Sequence, residues 1–225
     1  MTLLITIVPS ILILLYFFFS DRFKEPVQIV WEVFLWGIFI CFPAGKLNSF
    51  MINNFSVTGD YTDLTYSFYG PAWTEEMLKF LVLYLVVLRK KEFNETMDGI
   101  VYGVVVSLGF ATYENFSYVF DLAEYFQVSS REIAITRAFS AVPFHGLNGC
   151  IMGFFFGKYA FTSDKKYLIY SLIIPYFFHG SYNYVLTNFG TYFILLIMIV
   201  LALNLHSSLK KLQLKKKKEN EKLKV

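Results

Sequence analysis

Seven long apolar segments constrain the fold of this chain more than any other feature of its sequence. Each is close to the roughly 20 residues that a helix needs to cross a bilayer. Backbone polar groups in hydrocarbon must be satisfied within the protein, so such segments cross as α-helices. We therefore predict an all-α, polytopic membrane protein with about seven transmembrane helices. The segments run from Leu3 to Ser20, Val27 to Pro43, Leu64 to Leu88, Asp98 to Phe120, Ile133 to Tyr159, Tyr167 to Asn188 and Thr191 to His206.

Composition supports a membrane protein and argues against a nucleic-acid-binding one. Of the 225 residues, 56% are hydrophobic, and the mean hydropathy is +0.51. The net charge is +3, but residues 210–225 hold eight lysines and two glutamates, so residues 1–209 sum to −3. The basic excess is therefore a terminal tail rather than a nucleic-acid-binding face. We predict one integral-membrane domain over residues 1–209 and a basic cytoplasmic tail over residues 210–225, which is solvated or touches anionic lipid.

Loop charges predict the orientation of the chain in the membrane. Alternate connections are rich in Lys and Arg, whereas loops 45–63 and 121–132 each hold one basic residue. By the positive-inside rule the N-terminus lies outside and the C-terminus is cytoplasmic. Loop 45–63 is then on the outer side, where we expect it to lie on the membrane surface or to cap a cavity. The basic stretches are residues 21–24, 89–91, 158–166 and 210–225.

Three charged residues lie within the third apolar segment. Glu75, Glu76 and Lys79 lie within five residues and are followed by the apolar run from Phe80 to Leu88. A charged side chain at the centre of a membrane helix costs about 2.5–3.5 kcal/mol, so three isolated charges would cost about 8–10 kcal/mol. We therefore expect these groups to face a polar cavity, to pair with one another, or both. The spacing of Glu75 and Lys79 puts them on one helix face.

Ionisable residues also occur in four other segments. Glu114 is near the outer edge of its segment, and His145 and His179 are each about mid-segment, at depths similar to Glu75. We expect these four groups to gather around a shared polar pocket in the middle to outer half of the bilayer. Arg137 is predicted to be the counter-ion of a buried carboxylate such as Glu114. For Glu32 we expect a structural hydrogen bond or a pair with Arg137, rather than a catalytic role.

Four motifs, taken in chain order, resemble a known family. They are Glu75-Glu76-x-x-Lys79, Phe110-x-x-x-Glu114, His145 in the fifth segment and His179-x-x-x-Asn183 in the sixth. Together they resemble the PrsW family of intramembrane proteases, which is related to the CAAX-prenyl endopeptidases. The resemblance covers about residues 64–190. The wider superfamily often has a histidine in its second motif, where this chain has Glu114, and that difference points to the PrsW branch.

The resemblance implies an activity and a partner. PrsW-type proteases make the first cut in a membrane-anchored anti-sigma factor, on its extracytoplasmic side, and so activate an extracytoplasmic-function sigma factor. The implied substrate is a single-span anti-sigma factor, the implied location is the bacterial cytoplasmic membrane, and the implied reaction is peptide hydrolysis.

The residues suggest roles in that reaction. Two close carboxylates in a low-dielectric cavity resist double ionisation, which suits Glu75, with Glu76 beside it, to act as a general base. Lys79 would keep one of the pair ionised. His145 would hold the attacking water, and His179 and Asn183 would donate hydrogen bonds to the oxyanion.

The sequence leaves metal use and two other functions open. Glu114, His145 and His179 could bind one Zn²⁺ with Glu75 as base, or the reaction could proceed without a metal. The chain has no H-E-x-x-H motif to decide between them. The alternative functions are a proton- or ion-coupled transporter, against which stands the lack of inverted repeats, and a non-catalytic membrane scaffold.

Overall fold

The computed structural model of this protein describes residues 1–55, 62–185 and 190–222, and it is helical with no strand in these ranges. Part of the loop predicted over residues 45–63 is helix, and its residues 56–61 lie outside the described ranges. The nine α-helices of these ranges are α1 (Thr2–Ser20), α2 (Val27–Phe55), α3 (Thr62–Ser67), α4 (Trp73–Leu85), α5 (Thr96–Phe116), α6 (Ser130–Phe139), α7 (Ala141–Thr162), α8 (Lys165–Tyr184) and α9 (Gly190–Lys222).

The predicted all-α, polytopic membrane class is confirmed. Five helical stretches of the described residues are long and apolar enough to cross a membrane: residues 2–20, 27–54, 96–121, 130–162 and 191–217. Helices α4 and α8 occupy the other two predicted segments. Helix α4 is only 13 residues long and begins with charged side chains, and α8 carries two lysines in its first turn and Pro175 in its interior.

Helices α5 and α7 form the centre of the protein. They make the most extensive helix–helix contact, and most of their side chains are buried. Glycines allow this approach: a Cβ on Gly103 would lie 2.4 Å from the carbonyl oxygen of Gly149, and one on Gly153 would lie 2.0 Å from that of Gly99. Small residues at the contact let two membrane helices pack backbone to backbone. The pair is therefore a rigid frame with one polar region at each end.

Two predicted segments are interrupted where the polar residues lie. The segment from Leu64 to Leu88 contains a π-helical turn at Phe68–Ala72, in which Gly70 has non-helical angles (φ −83°, ψ −107°) next to Pro71. A proline lacks the N–H for a helical hydrogen bond and breaks the regular ladder. The segment from Ile133 to Tyr159 is likewise divided at Ser140 into α6 and α7. Each break carries the chain into a new helix immediately before a predicted site residue.

The last helix continues far beyond the predicted membrane segment. Helix α9 runs without interruption from Gly190 to Lys222, through most of the predicted tail. Its Gln213 is buried and donates hydrogen bonds to Asp21, after α1, and to Glu95, before α5. The beginning of the basic tail is therefore attached to the helical body.

Candidate active site

A cavity of about 530 Å³ opens at the end of the helical body where α4 and α7 begin. It is lined by the C-terminal halves of α2 and α8, the end of α5, the last turn of α6 and the first turns of α4 and α7. The cavity brings together six residues singled out from the sequence, and they are Glu75, Glu114, Arg137, His145, His179 and Asn183.

Glu75 presents a carboxylate oxygen to this cavity. Its side chain is buried, with 3% of the residue exposed, and it lines the cavity wall. One oxygen, Oε1, accepts a hydrogen bond from the side-chain amide of Asn48 at 3.4 Å. The other, Oε2, has no hydrogen-bond partner among the described residues. A buried carboxylate oxygen without a partner is costly to maintain and is available to a ligand.

Glu76 has a different position, behind the cavity wall. It is fully buried, and its Oε1 accepts from Lys79 Nζ and from His179 Nδ1, both at 2.8 Å. Neither Glu76 nor Lys79 lines the cavity. Because an ionised carboxylate can only accept, Nδ1 of His179 carries the proton. Its Nε2 then faces Glu75 Oε2 at 4.0 Å, so Glu76 orients the His179 ring towards Glu75.

Lys79 contacts His145 directly and shares the Glu76 carboxylate oxygen with His179. Its ammonium is fully buried, contacts Glu75 Oε2 at 3.8 Å and lies 3.1 Å from Nδ1 of His145. An ammonium has donors only, so Nδ1 of His145 accepts and Nε2 carries the proton in this arrangement. That Nε2 donates to Glu114 Oε2 at 3.1 Å. The expected pairing of Lys79 with the two glutamates is confirmed.

Arg137 holds Glu114 in place. Its guanidinium donates to Glu114 Oε2 and to Asn115 Oδ1, each at 2.6 Å, and stacks over the ring of Tyr118 at 4.0 Å. The predicted role of Arg137 as counter-ion to Glu114 is therefore confirmed. Its alternative pairing with Glu32 is wrong.

Glu32 lies outside the cavity. It is half exposed at its side chain and pairs with Lys90 at 2.8 Å. The basic residue that follows the third segment reaches it because α2 and α4 run side by side.

The sequence analysis missed Asn48, which supports Glu75 from α2. Loop composition assigned residues 45–63 to a connection, but α2 continues to Phe55. Asn48 also pairs with the hydroxyl of Thr74, immediately before Glu75. A helical spacing could have revealed it, because Cys41, Gly45, Asn48 and Ile52 all line the cavity from one helix face.

The possible metal ligands differ from those predicted. Glu75, Glu114 and His145 each offer one ligand atom within 4.8 Å of the others. The predicted trio included His179 in place of Glu75, but His179 does not belong to this group: its Nδ1 is hydrogen-bonded to Glu76, and its Nε2 lies 4.0 Å from Glu75 Oε2. The donor chemistry of the observed trio fits a divalent metal, since carboxylate oxygen and imidazole nitrogen are common zinc ligands, and Glu75 Oε2 accepts no hydrogen bond from the described residues.

Comparison with known proteins agrees with these motifs. Residues 25–205 match the family model described as "PrsW family intramembrane metalloprotease". The protein named Protease PrsW from Bacillus subtilis (strain 168) is 37% identical over 201 residues, covering 87% of this chain and 88% of that protein. Those of the same name from Geobacillus kaustophilus and Clostridioides difficile are 36% and 31% identical, covering 80% and 89% of this chain and 77% and 85% of those proteins. No solved structure matches this chain.

Proposed function

Because this chain belongs to the PrsW family of intramembrane metalloproteases, and is thus a membrane peptidase of the cell membrane, we propose that its substrate is a single-span anti-sigma factor. The protease makes the first cut in this substrate on the extracytoplasmic side, which activates an extracytoplasmic-function sigma factor. The observation that carries the reaction is Glu75, which lines a cavity together with two histidines and has one carboxylate oxygen that accepts no hydrogen bond from the described residues. The loop charges support the side of cleavage, since the cavity lies at the helix ends predicted to be extracytoplasmic.

In the proposed reaction, Glu75 accepts a proton from water while the water oxygen attacks the peptide carbonyl carbon. The carbonyl oxygen becomes an oxyanion, which receives hydrogen bonds from Asn183 and from the protonated form of His179. The carbon–nitrogen bond then breaks, and Glu75 returns the proton to the leaving amine. Glu75 is unchanged at the end, and the water has supplied a hydroxyl to one product and a hydrogen to the other.

The surrounding groups position those that react. Glu76 and Lys79 fix the rings of His179 and His145 from behind, while Arg137 holds Glu114. His145 lies between Lys79 and Glu114 and would orient the water against Glu75. The site therefore depends in part on Glu76 and Lys79, which are buried behind the cavity wall.

The donor set would also hold a metal ion. Glu75, Glu114 and His145 would be its ligands, and a bound ion would supply Lewis-acid activation of water. Ligation of His145 through Nε2 would release the proton that it donates to Glu114, so metal binding and proton release would be coupled. Metal analysis of the purified protein distinguishes two roles of Glu75. Bound metal would indicate that Glu75 is a ligand, and an active protein without metal would indicate that it is a free base.

The test is co-expression with a panel of tagged single-span anti-sigma factors, followed by N-terminal mapping of the cut. The unmodified protein should cut at least one of them outside its membrane span. Glu75→Gln should accumulate normally yet lose cleavage by at least about 10²-fold. Glu32→Gln is the matched control, because it removes a carboxylate in α2 that pairs with Lys90 outside the cavity.

Two results would overturn parts of this proposal separately. Cleavage of other membrane proteins with none of the anti-sigma factors cut would remove the substrate and keep the peptidase. Full cleavage by Glu75→Gln would remove the assigned base.

A further inference from the structure

A second group of carboxylates lies at the opposite end of the α5–α7 pair. Asp21 follows α1, Glu25 precedes α2, and Asp98 is in the first turn of α5. We call these three residues the acidic cluster. Asp98 precedes Glu114 by 16 positions on one helix, which at about 1.5 Å per residue separates this cluster from the candidate active site by about 24 Å.

The acidic cluster is more deeply buried than surface charges of a connection would be. The exposed fractions of Asp21, Glu25 and Asp98 are 2%, 4% and 0%. One carboxylate oxygen from each lies within 4.8 Å of those from the other two. Carboxylates are almost never buried unless they are paired or bind a metal, so this arrangement requires a compensating positive group.

Each of these carboxylates is held in place through one of its oxygens. Asp98 Oδ2 accepts the backbone N–H groups of Asn94 and Glu95, at 2.7 and 2.8 Å. Asp21 Oδ1 accepts from the side chain of Gln213 at 2.7 Å, and Glu25 Oε2 accepts from the Tyr102 hydroxyl. The side chains are thus fixed before any ligand arrives, which lowers the ordering cost of binding.

Two of the remaining carboxylate oxygens accept no hydrogen bond from the described residues. Asp21 Oδ2 and Asp98 Oδ1 are buried and receive no hydrogen bond from any donor in the described ranges. Lys216 approaches this region, but its ammonium lies 3.8 Å from Glu95.

We propose that the acidic cluster binds one hard divalent cation, Mg²⁺ or Ca²⁺, through Asp21, Glu25 and Asp98. The donors are all oxygen, with no thiolate or imidazole in the group, which is the ligand set that these two ions prefer. The ion would join the α1–α2 connection to the start of α5. Through the Asp21–Gln213 hydrogen bond it would also fasten the beginning of the basic tail on α9.

The test is ion binding to the full-length protein in detergent after treatment with a chelator. Calorimetric titration with MgCl₂ or CaCl₂ should show one site, and saturating ion should raise the melting temperature by about 5 °C. Asp21→Asn and Glu25→Gln should each weaken binding at least about tenfold. Both substitutions keep the acceptor oxygen that holds the side chain, so both are expected to fold.

Two control variants separate this site from others. Glu92→Gln removes a carboxylate from the same end of the protein but outside the acidic cluster, and it should bind the ion normally. Glu75→Gln alters the other group of possible metal ligands and should also leave the Mg²⁺ or Ca²⁺ response unchanged. A response lost in Glu75→Gln and kept in Asp21→Asn would overturn the proposal.

The rival explanation is a proton shared between Glu25 and Asp98, each of which has a carboxylate oxygen within 4.8 Å of one on the other. In that case neither ion would bind to the unmodified protein, and its melting temperature would be the same in chelator, MgCl₂ and CaCl₂. This result would overturn the cation site directly, whatever the variants show.

Discussion

The two ends of the α5–α7 pair both bury carboxylates, but they balance the charge differently. At the candidate active site, Glu75, Glu76 and Glu114 are accompanied by Lys79 and Arg137, whose nitrogens lie 2.6–3.8 Å from carboxylate oxygens. The protein itself supplies most of the positive charge there. This fixed network of charges therefore serves to orient the side chains of the candidate active site.

At the opposite end the acidic cluster has no such network among the described residues. Asp21, Glu25 and Asp98 are held by amide, hydroxyl and backbone donors, which are neutral. Two of their oxygens have no donor among the described residues. Buried charge balanced by the chain is part of the fold, whereas the charge of the acidic cluster is what the proposed cation would balance.

The largest expected effect on stability comes from removing the cation of the active-site network. Lys79→Met should lower the free energy of unfolding by about 3–5 kcal/mol, because it leaves Glu76 buried without its ammonium partner. Lys90→Met is the matched control, since the Glu32–Lys90 pair is partly exposed and should contribute about 0–1 kcal/mol. Thermal unfolding in detergent measures both. Equal losses would mean that the buried network has no special role.

A second prediction concerns activity rather than folding. Arg137→Gln should lower the cleavage rate about 10–100-fold, because Glu114 would lose the guanidinium that orients it beside His145. The control is Arg131→Gln, which removes an exposed arginine from the same helix. Cleavage of a purified membrane substrate by each variant is the measurement. Unchanged activity in Arg137→Gln would show that Glu114 needs no positioning.

The close packing of α5 against α7, between the two polar ends, can be tested independently. Gly153→Ala should destabilise the protein by about 1–3 kcal/mol, because the new methyl group would overlap the backbone of Gly99 on α5. Gly45→Ala is the comparison, since a Cβ at Gly45 meets no other atom within 4 Å. If both variants melt at the same temperature, the close contact of α5 and α7 does not stabilise the fold.

The smallest expected effect is a gain in stability, and it concerns the acidic cluster. In the presence of a chelator, Asp21→Asn should raise the free energy of unfolding by about 1 kcal/mol, because it removes one uncompensated buried charge. With saturating Mg²⁺ or Ca²⁺ the order should reverse, and the unmodified protein should be the more stable. A loss of stability in both conditions would indicate that Asp21 is already balanced without an ion.

The sequence predicted the helical segments and six of the residues that line the cavity, because both follow from the composition of each segment. Apolar length predicts a membrane helix, and a charge within it predicts a polar surrounding. The prediction named Glu75 as the base with Glu76 beside it, but it did not foresee that Glu76 lies behind the cavity wall. Adjacent residues differ by about 100° around a helix, and the π-helical turn at Phe68–Ala72 comes shortly before this pair.

The burial of the acidic cluster could not be predicted from the sequence either. Asp21 is followed by Arg22 and Lys24, which made the connection appear to be an ordinary cytoplasmic loop. Its burial depends on packing by Gln213, which is 192 residues away. No local pattern encodes such a contact.

The most direct test of the account compares Glu75→Gln with Glu76→Gln in one purified preparation, with cleavage rate and melting temperature measured for each. Glu75→Gln should melt within about 2 °C of the unmodified protein and lose cleavage, because Gln keeps the acceptor for Asn48 and cannot take the proton from water. Glu76→Gln should melt about 10 °C lower, because buried Lys79 loses its closest anion. Cleavage retained by Glu75→Gln would contradict the account.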